Sequence, residues 1–218
     1  MAGGVLVAKR VFRGGVHPPE HKEATAGSAV VWAPVPGRLV VPVSQHLGAP
    51  CAPVVEPGDR VERGQLIGSV DAMVSAPIHS PVAGTVVEIA QTLTTGGTMV
   101  AAVVIEPDEQ QELSRYVQLP DASDDHARVR AAGIVGLGGA TFPSVVKLMP
   151  PKDMAVRTVI LNGCECEPYL TCDHRLMLES PDRVVAGARH IARIVGAERV
   201  IIAVESNKPD AAEALRAV

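Results

Sequence analysis

Pro57-Gly58-Asp59-Arg60-Val61-Glu62-Arg63-Gly64-Gln65-Leu66-Ile67, followed by Ser75-Ala76-Pro77-Ile78-His79-Ser80-Pro81-Val82-Ala83-Gly84-Thr85-Val86, decides how the first half of this chain folds. Proline and glycine set tight turns here, and the runs between them are short, apolar and β-branched. The same texture continues outward from Trp32 to Pro107, with strands expected at 38–43, 54–55, 66–70, 85–89 and 99–105. The whole stretch therefore reads as an all-β module. The 20 glycines and 18 prolines of the chain fit many short strands joined by tight turns.

The texture changes after a polar connector, Pro107-Asp-Glu-Gln-Gln-Glu112, which places a domain boundary between residues 107 and 123. Apolar spacing near 3.6 residues predicts a helix from Asp124 to Ala132 capped by Ser123, then a glycine loop over 133–139. A buried strand follows at 156–161, and Ser180, Pro181 and Asp182 open a helix that Gly196 closes. Another strand at 199–204 and a helix opening at Asn207-Lys-Pro-Asp210 and running on to Val218 complete the series. An order of β, α, β, α calls for a parallel sheet with right-handed crossovers. Two strands and two helices do not close a doubly wound domain, so the chain is expected to be a truncated piece of a longer protein or to pair with something that covers the sheet edge. The expected division is a β domain with an N-terminal extension over 1–110 and a partial α/β domain over 122–218.

Composition removes several function classes. Lys+Arg number 20 against 24 Asp+Glu, giving a net charge of −4, and aromatic residues make up only 2%. A nucleic-acid reader needs a basic footprint or stacking platforms, and neither is present. No run of about 18 apolar residues suggests a membrane span, and the first residues lack a signal peptide's pattern, so a cytoplasmic location is expected.

Chemistry-bearing residues cluster in the second half. Gly136, Gly138 and Gly139 permit close backbone approach, so their amides suit a phosphate or a planar ring, with a tight helix-to-loop turn as the plain alternative. Lys147, one of five lysines, lies beyond the Phe142-Pro143 corner. Asn162-Gly-Cys-Glu165-Cys-Glu167-Pro-Tyr169 follows a buried strand at its carboxyl end, where α/β sheets bind ligands, although a solvated acidic turn would look the same. Cys164, Cys166 and Cys172 have a spacing that matches neither a ferredoxin run nor a zinc pair, and they read as packed thiols. His17 and His21 belong to a turn-rich loop, and His174 between Asp173 and Arg175 suggests an ion-paired segment.

The 57–86 stretch resembles the flattened β-barrel of biotinyl and lipoyl carriers. Val74 stands where their modified lysine would be, so no swinging arm can attach, and the module is expected to serve as structure or as a docking surface. Three longer strings carry a second resemblance: Gly14-Gly-Val-His-Pro-Pro-Glu20, Gly136-Leu-Gly-Gly-Ala-Thr-Phe-Pro143 with Lys147, and Leu161-Asn-Gly-Cys-Glu-Cys-Glu-Pro-Tyr-Leu-Thr-Cys-Asp-His-Arg-Leu-Met-Leu-Glu179. From about residue 10 to its end the chain resembles the C subunit of the Rnf (Rsx) electron-transport complex. That family is similar to the flavin-binding subunit of respiratory complex I.

The resemblance implies an α+β, two-domain chain: a barrel-sandwich hybrid, then a Rossmann-like FMN- and NADH-binding domain. It places Gly136, Gly138, Gly139 and Lys147 around FMN, with Asn162 and Glu165 at its isoalloxazine or ribityl edge. Phe142 and Glu167 would face the nicotinamide nucleotide. Leu137, Thr141 and Cys164 depart from the flavoprotein pattern, and the last removes one polar contact to the flavin. It implies a part in an NADH-linked oxidoreductase and translocase, with FMN and NAD(H) as cofactors. Other Rnf subunits are the implied partners, and the implied location is peripheral, on the cytoplasmic face of the inner membrane. The resemblance further implies that iron–sulfur clusters, and some of the flavin and nucleotide pocket, belong to a C-terminal part that these residues are not expected to include. The rival reading is a non-catalytic docking fragment that binds other subunits of the complex.

Overall fold

The structure, a computed structural model, describes residues 16, 18–112, 114–119, 124–151 and 153–218. It divides into two compact units, one of residues 33–151 and one of residues 1–32 with 152–218. These units do not follow the 107–123 boundary read from the sequence, because the glycine loop goes with the β module.

In the first unit, β1 (Leu39–Pro42), β2 (Ala52–Pro53), β3 (Arg60–Val61), β4 (Leu66–Ser69), β5 (Ile78–His79), β6 (Gly84–Leu93) and β7 (Met99–Pro107) form two antiparallel sheets. Their orders are β1-β7-β6-β3 and β2-β4-β5. Residues 102–105 of β7 are all buried: β1 and β6 pair along its two edges, Val103 and Ile105 join Val43, Ile67 and Val86 in one core, and Ala102 and Val104 are buried on the opposite face. A strand covered on both faces loses the polar alternation of a surface strand, which explains its apolar run. Removing the Ile67 side chain down to Ala from this core costs about 3 kcal/mol.

The strands expected at 38–43, 66–70, 85–89 and 99–105 are present, with β6 and β7 longer than expected. The strand expected at 54–55 sits instead at Ala52–Pro53, and β3 and β5 were not anticipated. Two-residue strands are too short to show period-two alternation, and the partner strand alone defines them. α2 (Asp125–Ala131) and α3 (Ser144–Lys147) close this unit. Asp124, and not Ser123, caps α2: its backbone is extended, and its Oδ1 accepts from the Ala127 amide at 2.8 Å. Ser123 lies outside the described residues.

The second unit holds α1 (Glu23–Ala26), β8 (Thr158–Gly163), α4 (Cys172–Glu179), α5 (Pro181–Val195), β9 (Arg199–Val204) and α6 (Pro209–Arg216). β8 and β9 pair in parallel, as the element order requires. Gly196 ends α5 with a left-handed φ of 69°, the conformation for which glycine is suited. Ser180 occupies the N-cap position of α5, but its hydroxyl makes no capping bond. β8 starts and ends two residues later than its expected 156–161 span, which puts Asn162 and Gly163 on the strand itself. α6 stops at Arg216, so its apolar face does not reach Val218. Among the described residues no helix is long and apolar enough to cross a membrane.

Candidate functional site

In the first unit the glycine loop is a closed excursion from the end of α2 to the start of α3. Val135 and Pro143 form an isolated antiparallel bridge, and Gly136 N donates to Phe142 O at 2.9 Å while Ser144 N donates to Ile134 O at 2.9 Å. Gly139 takes a φ of +107°, open to glycine and strained for most other residues. Gly138 and Gly139 face open space, with no heavy atom within 4 Å of where a side chain would begin. The Lys147 ammonium, on an exposed side chain at the end of α3, lies 5.8 Å from the Phe142 ring centroid. It is also 3.5 Å from the point a Gly136 Cβ would occupy.

Gly136, Phe142 and Lys147 thus come together, beside an open glycine pair. No described carboxylate pairs with Lys147. A flexible ammonium above bare backbone, next to two glycines that leave open space, fits the phosphate end of a nucleotide-like group. These residues therefore fit FMN at that end.

The strand-end segment belongs to the second unit and has a different character. Glu165 is 2% exposed. Its Oε1 accepts from the Asp173 amide at 2.9 Å and from the Cys172 thiol at 3.2 Å, and its Oε2 lies 3.4 Å from Lys208 Nζ and 3.9 Å from Lys22 Nζ. Lys22 Nζ also donates to the Glu165 backbone carbonyl. Burial pushes the Glu165 carboxyl up, but the Asp173 amide, the Cys172 thiol and the Lys208 ammonium together outweigh it and hold the group below the usual carboxylate range. For Lys208, burial pushes down while Glu205 at 2.8 Å and Glu165 push up, and the partners prevail. Both Glu165 oxygens are taken, so a ligand at this carboxylate has to displace an internal partner.

Asn162 is exposed, and its Oδ1 accepts from the Cys164 amide at 3.1 Å. Glu167 is exposed. Ligand atoms of Glu165, Cys172 and Asp173 approach within 4.8 Å of one another, but the two ammonium groups already beside Glu165 oppose a cation there.

The motif reading missed Lys22 and Lys208, which lie 143 and 43 residues from Glu165, because no spacing rule links them to it. It also missed the stacking of His21 on Tyr169, with centroids 5.2 Å apart and both residues at positive φ. The Tyr169 amide donates to Glu20 O at 2.8 Å, so this loop serves structure. His17 lies outside the described residues. His174 pairs with Asp210 at 3.0 Å, and not with its sequence neighbours.

Comparison with known proteins gives two family matches: the RnfC barrel sandwich hybrid domain over residues 10–110 and the Nuo51 FMN-binding domain over residues 129–218. The chain is 47% identical over 211 residues to the C subunit of the proton-translocating ferredoxin:NAD(+) oxidoreductase complex of Clostridium ljungdahlii, covering 94% of this chain and 46% of that protein. It is 45% identical over 210 residues to the C subunit of the Na(+)-translocating ferredoxin:NAD(+) oxidoreductase complex of Acetobacterium woodii, covering 94% of this chain and 47% of that protein. Identity is 41% over 213 residues to the C subunit of the ion-translocating oxidoreductase complex of Rhodobacter capsulatus, covering 94% of this chain and 41% of that protein. The chain spans less than half the length of these relatives. A barrel-sandwich hybrid followed by an FMN-binding domain, with this identity along 94% of its residues, places the chain in the family of C subunits of ion-translocating oxidoreductase (Rnf) complexes.

Proposed function

We propose that this chain binds FMN as part of the NADH-side subunit of an ion-translocating ferredoxin:NAD oxidoreductase, with Lys147 and the open amides of the glycine loop receiving the flavin phosphate. The observation that carries this reading is the Lys147 ammonium held above Gly136, beside two glycines that face open space. FMN, when bound, supplies the exchange of a hydride with NAD(H) and of single electrons with iron–sulfur clusters. The protein residues orient it: Lys147 gives a point charge to the phosphate, and the bare backbone at Gly138 and Gly139 admits close approach.

On the same resemblance, Asn162 contributes to the flavin edge, while Phe142 and Glu167 serve the nicotinamide nucleotide. Glu165 acts by holding the strand-end loop in place through its buried partners. The α/β part is read as Rossmann-like, over residues 122–218, after a β domain over 1–110. Partners are the other subunits of the complex, and the location is peripheral to the membrane on its cytoplasmic side.

Titration of FMN into the full-length protein, followed by flavin fluorescence, tests the reading. Saturable binding that Lys147→Ala weakens about tenfold is the expected result. Equal affinity in wild type and Lys147→Ala sinks it. A protein that retains no flavin at all favours the non-catalytic docking role instead.

A further inference from the structure

The hairpin between β4 and β5 is where a carrier barrel holds its lysine, and Val74 leaves it without that chemistry. Its carbonyls are nevertheless occupied. Arg130, in the last turn of α2, donates from Nη1 to Ala72 O at 3.2 Å and from Nη2 to Met73 O at 3.3 Å. Ala49 N donates to Val74 O at 3.0 Å, and a Cβ on Gly48 would overlap that same oxygen. Farther along the hairpin, a Cβ on Gly133 would overlap Pro77 O, and the His79 ring lies 3.4 Å from the same point.

The far end of the glycine loop is held as well: Leu47 N, in the turn that packs on Val74, donates to Thr141 O at 3.2 Å. Between these attachments the loop stands off from the barrel over a cavity of about 270 Å³, lined in part by His46, Pro77, His79, Leu137 and Thr141. The loop's own bonds close its neck, from Ser144 N to Ile134 O and from Gly136 N to Phe142 O, so where that neck sits against the barrel is set by the fastenings at its ends.

We infer that this hairpin, the attachment point of a carrier, serves here as the seat of the glycine loop, with Arg130 and Gly133 as positioning residues for the flavin phosphate. The inference rests on the proposed flavin site. Arg130 suits the task because its planar, pre-organised fork meets two successive carbonyls with less loss of side-chain freedom than a flexible ammonium. Gly133 suits it because its φ of +64° and the Pro77 oxygen together exclude a side chain. The arrangement also accounts for the glycine loop belonging to the same compact unit as the barrel.

The test compares FMN binding to the full-length protein in wild type, Arg130→Ala, Arg130→Lys, Gly133→Ala and Lys147→Ala, by fluorescence titration and by the visible circular dichroism of the bound flavin. Arg130→Ala should weaken FMN about tenfold, the size supported by two charge-assisted hydrogen bonds, and alter the flavin dichroism at saturation. Arg130→Lys should recover part of both. Gly133→Ala should act in the same direction, and if it does not fold, the Arg130 pair decides alone. Wild-type affinity and dichroism in Arg130→Ala, with binding lost in Lys147→Ala, overturns the inference and leaves the flavin site standing. Wild-type binding in both variants overturns the flavin site, and the inference falls with it.

Discussion

The glycine loop and the strand-end segment both bring charge to irregular backbone, and they do it in opposite ways. At the loop a single exposed ammonium, Lys147, stands over backbone with no described acid beside it. At the strand end a 2%-exposed carboxylate, Glu165, is surrounded by donors that fill both of its oxygens. A buried charge is tolerated only when it is paired and hydrogen-bonded, so the second arrangement holds the fold. An exposed charge over bare backbone contributes little to folding and remains available to a ligand. The contrast separates two roles that one acidic and one basic motif residue do not reveal on their own.

The largest effect should come from the buried side of the comparison. Glu165→Gln removes the charge between Lys22 and Lys208 and should cost about 3 kcal/mol, read as a lower midpoint in urea unfolding. If the variant unfolds at the wild-type midpoint, the carboxylate is no keystone. The same residue gives the protein an acid limit. Its pKa is lowered in the fold, so its contribution is present above the unfolded carboxylate value and is lost as pH falls through the folded one. Stability measured from neutral to acidic pH should therefore fall less steeply in Glu165→Gln than in wild type; parallel curves would assign the acid sensitivity elsewhere.

Lys147→Ala should do the reverse. FMN affinity drops about tenfold while unfolding stability stays within about 0.5 kcal/mol of wild type. A loss of stability without a loss of affinity would show that the two regions had been assigned the wrong way round. Gly139→Ala is expected to be smaller still, a loss of about 1 kcal/mol, because an L side chain is strained at a φ of +107° even where space is open. The weakest effect belongs to Glu167→Gln: the side chain is exposed, so stability should not move measurably, and any change should appear in NADH binding by the full-length protein. A shift of several degrees in the unfolding temperature would place Glu167 with Glu165.

Much of the fold was legible because its cues are local. Proline and glycine bound the β-branched runs that become β1, β4, β6 and β7, and Gly196 marks the end of α5 by a conformation that side chains disfavour. The alternation of strands and helices after residue 156 requires the parallel pairing that β8 and β9 show. Val74 in the lysine position removes the carrier reading on covalent grounds alone, since a valine offers no amine to acylate.

The sequence by itself determined the longer strands β1, β4, β6, β7, β8 and β9, the helices α2, α5 and α6, and where glycines leave backbone bare, because propensity and periodicity act over a few residues; the short elements α1, α3, β3 and β5, and helix α4, lay outside that reading. Only the tertiary structure decided what those segments touch. Lys22 reaches Glu165 across 143 positions, Arg130 reaches the hairpin carbonyls across 57 and 58, and the two-residue strands β3 and β5 exist through their partners. Buried charge pairing and backbone capping are satisfied by whatever the fold brings near, and no spacing in the chain encodes that proximity.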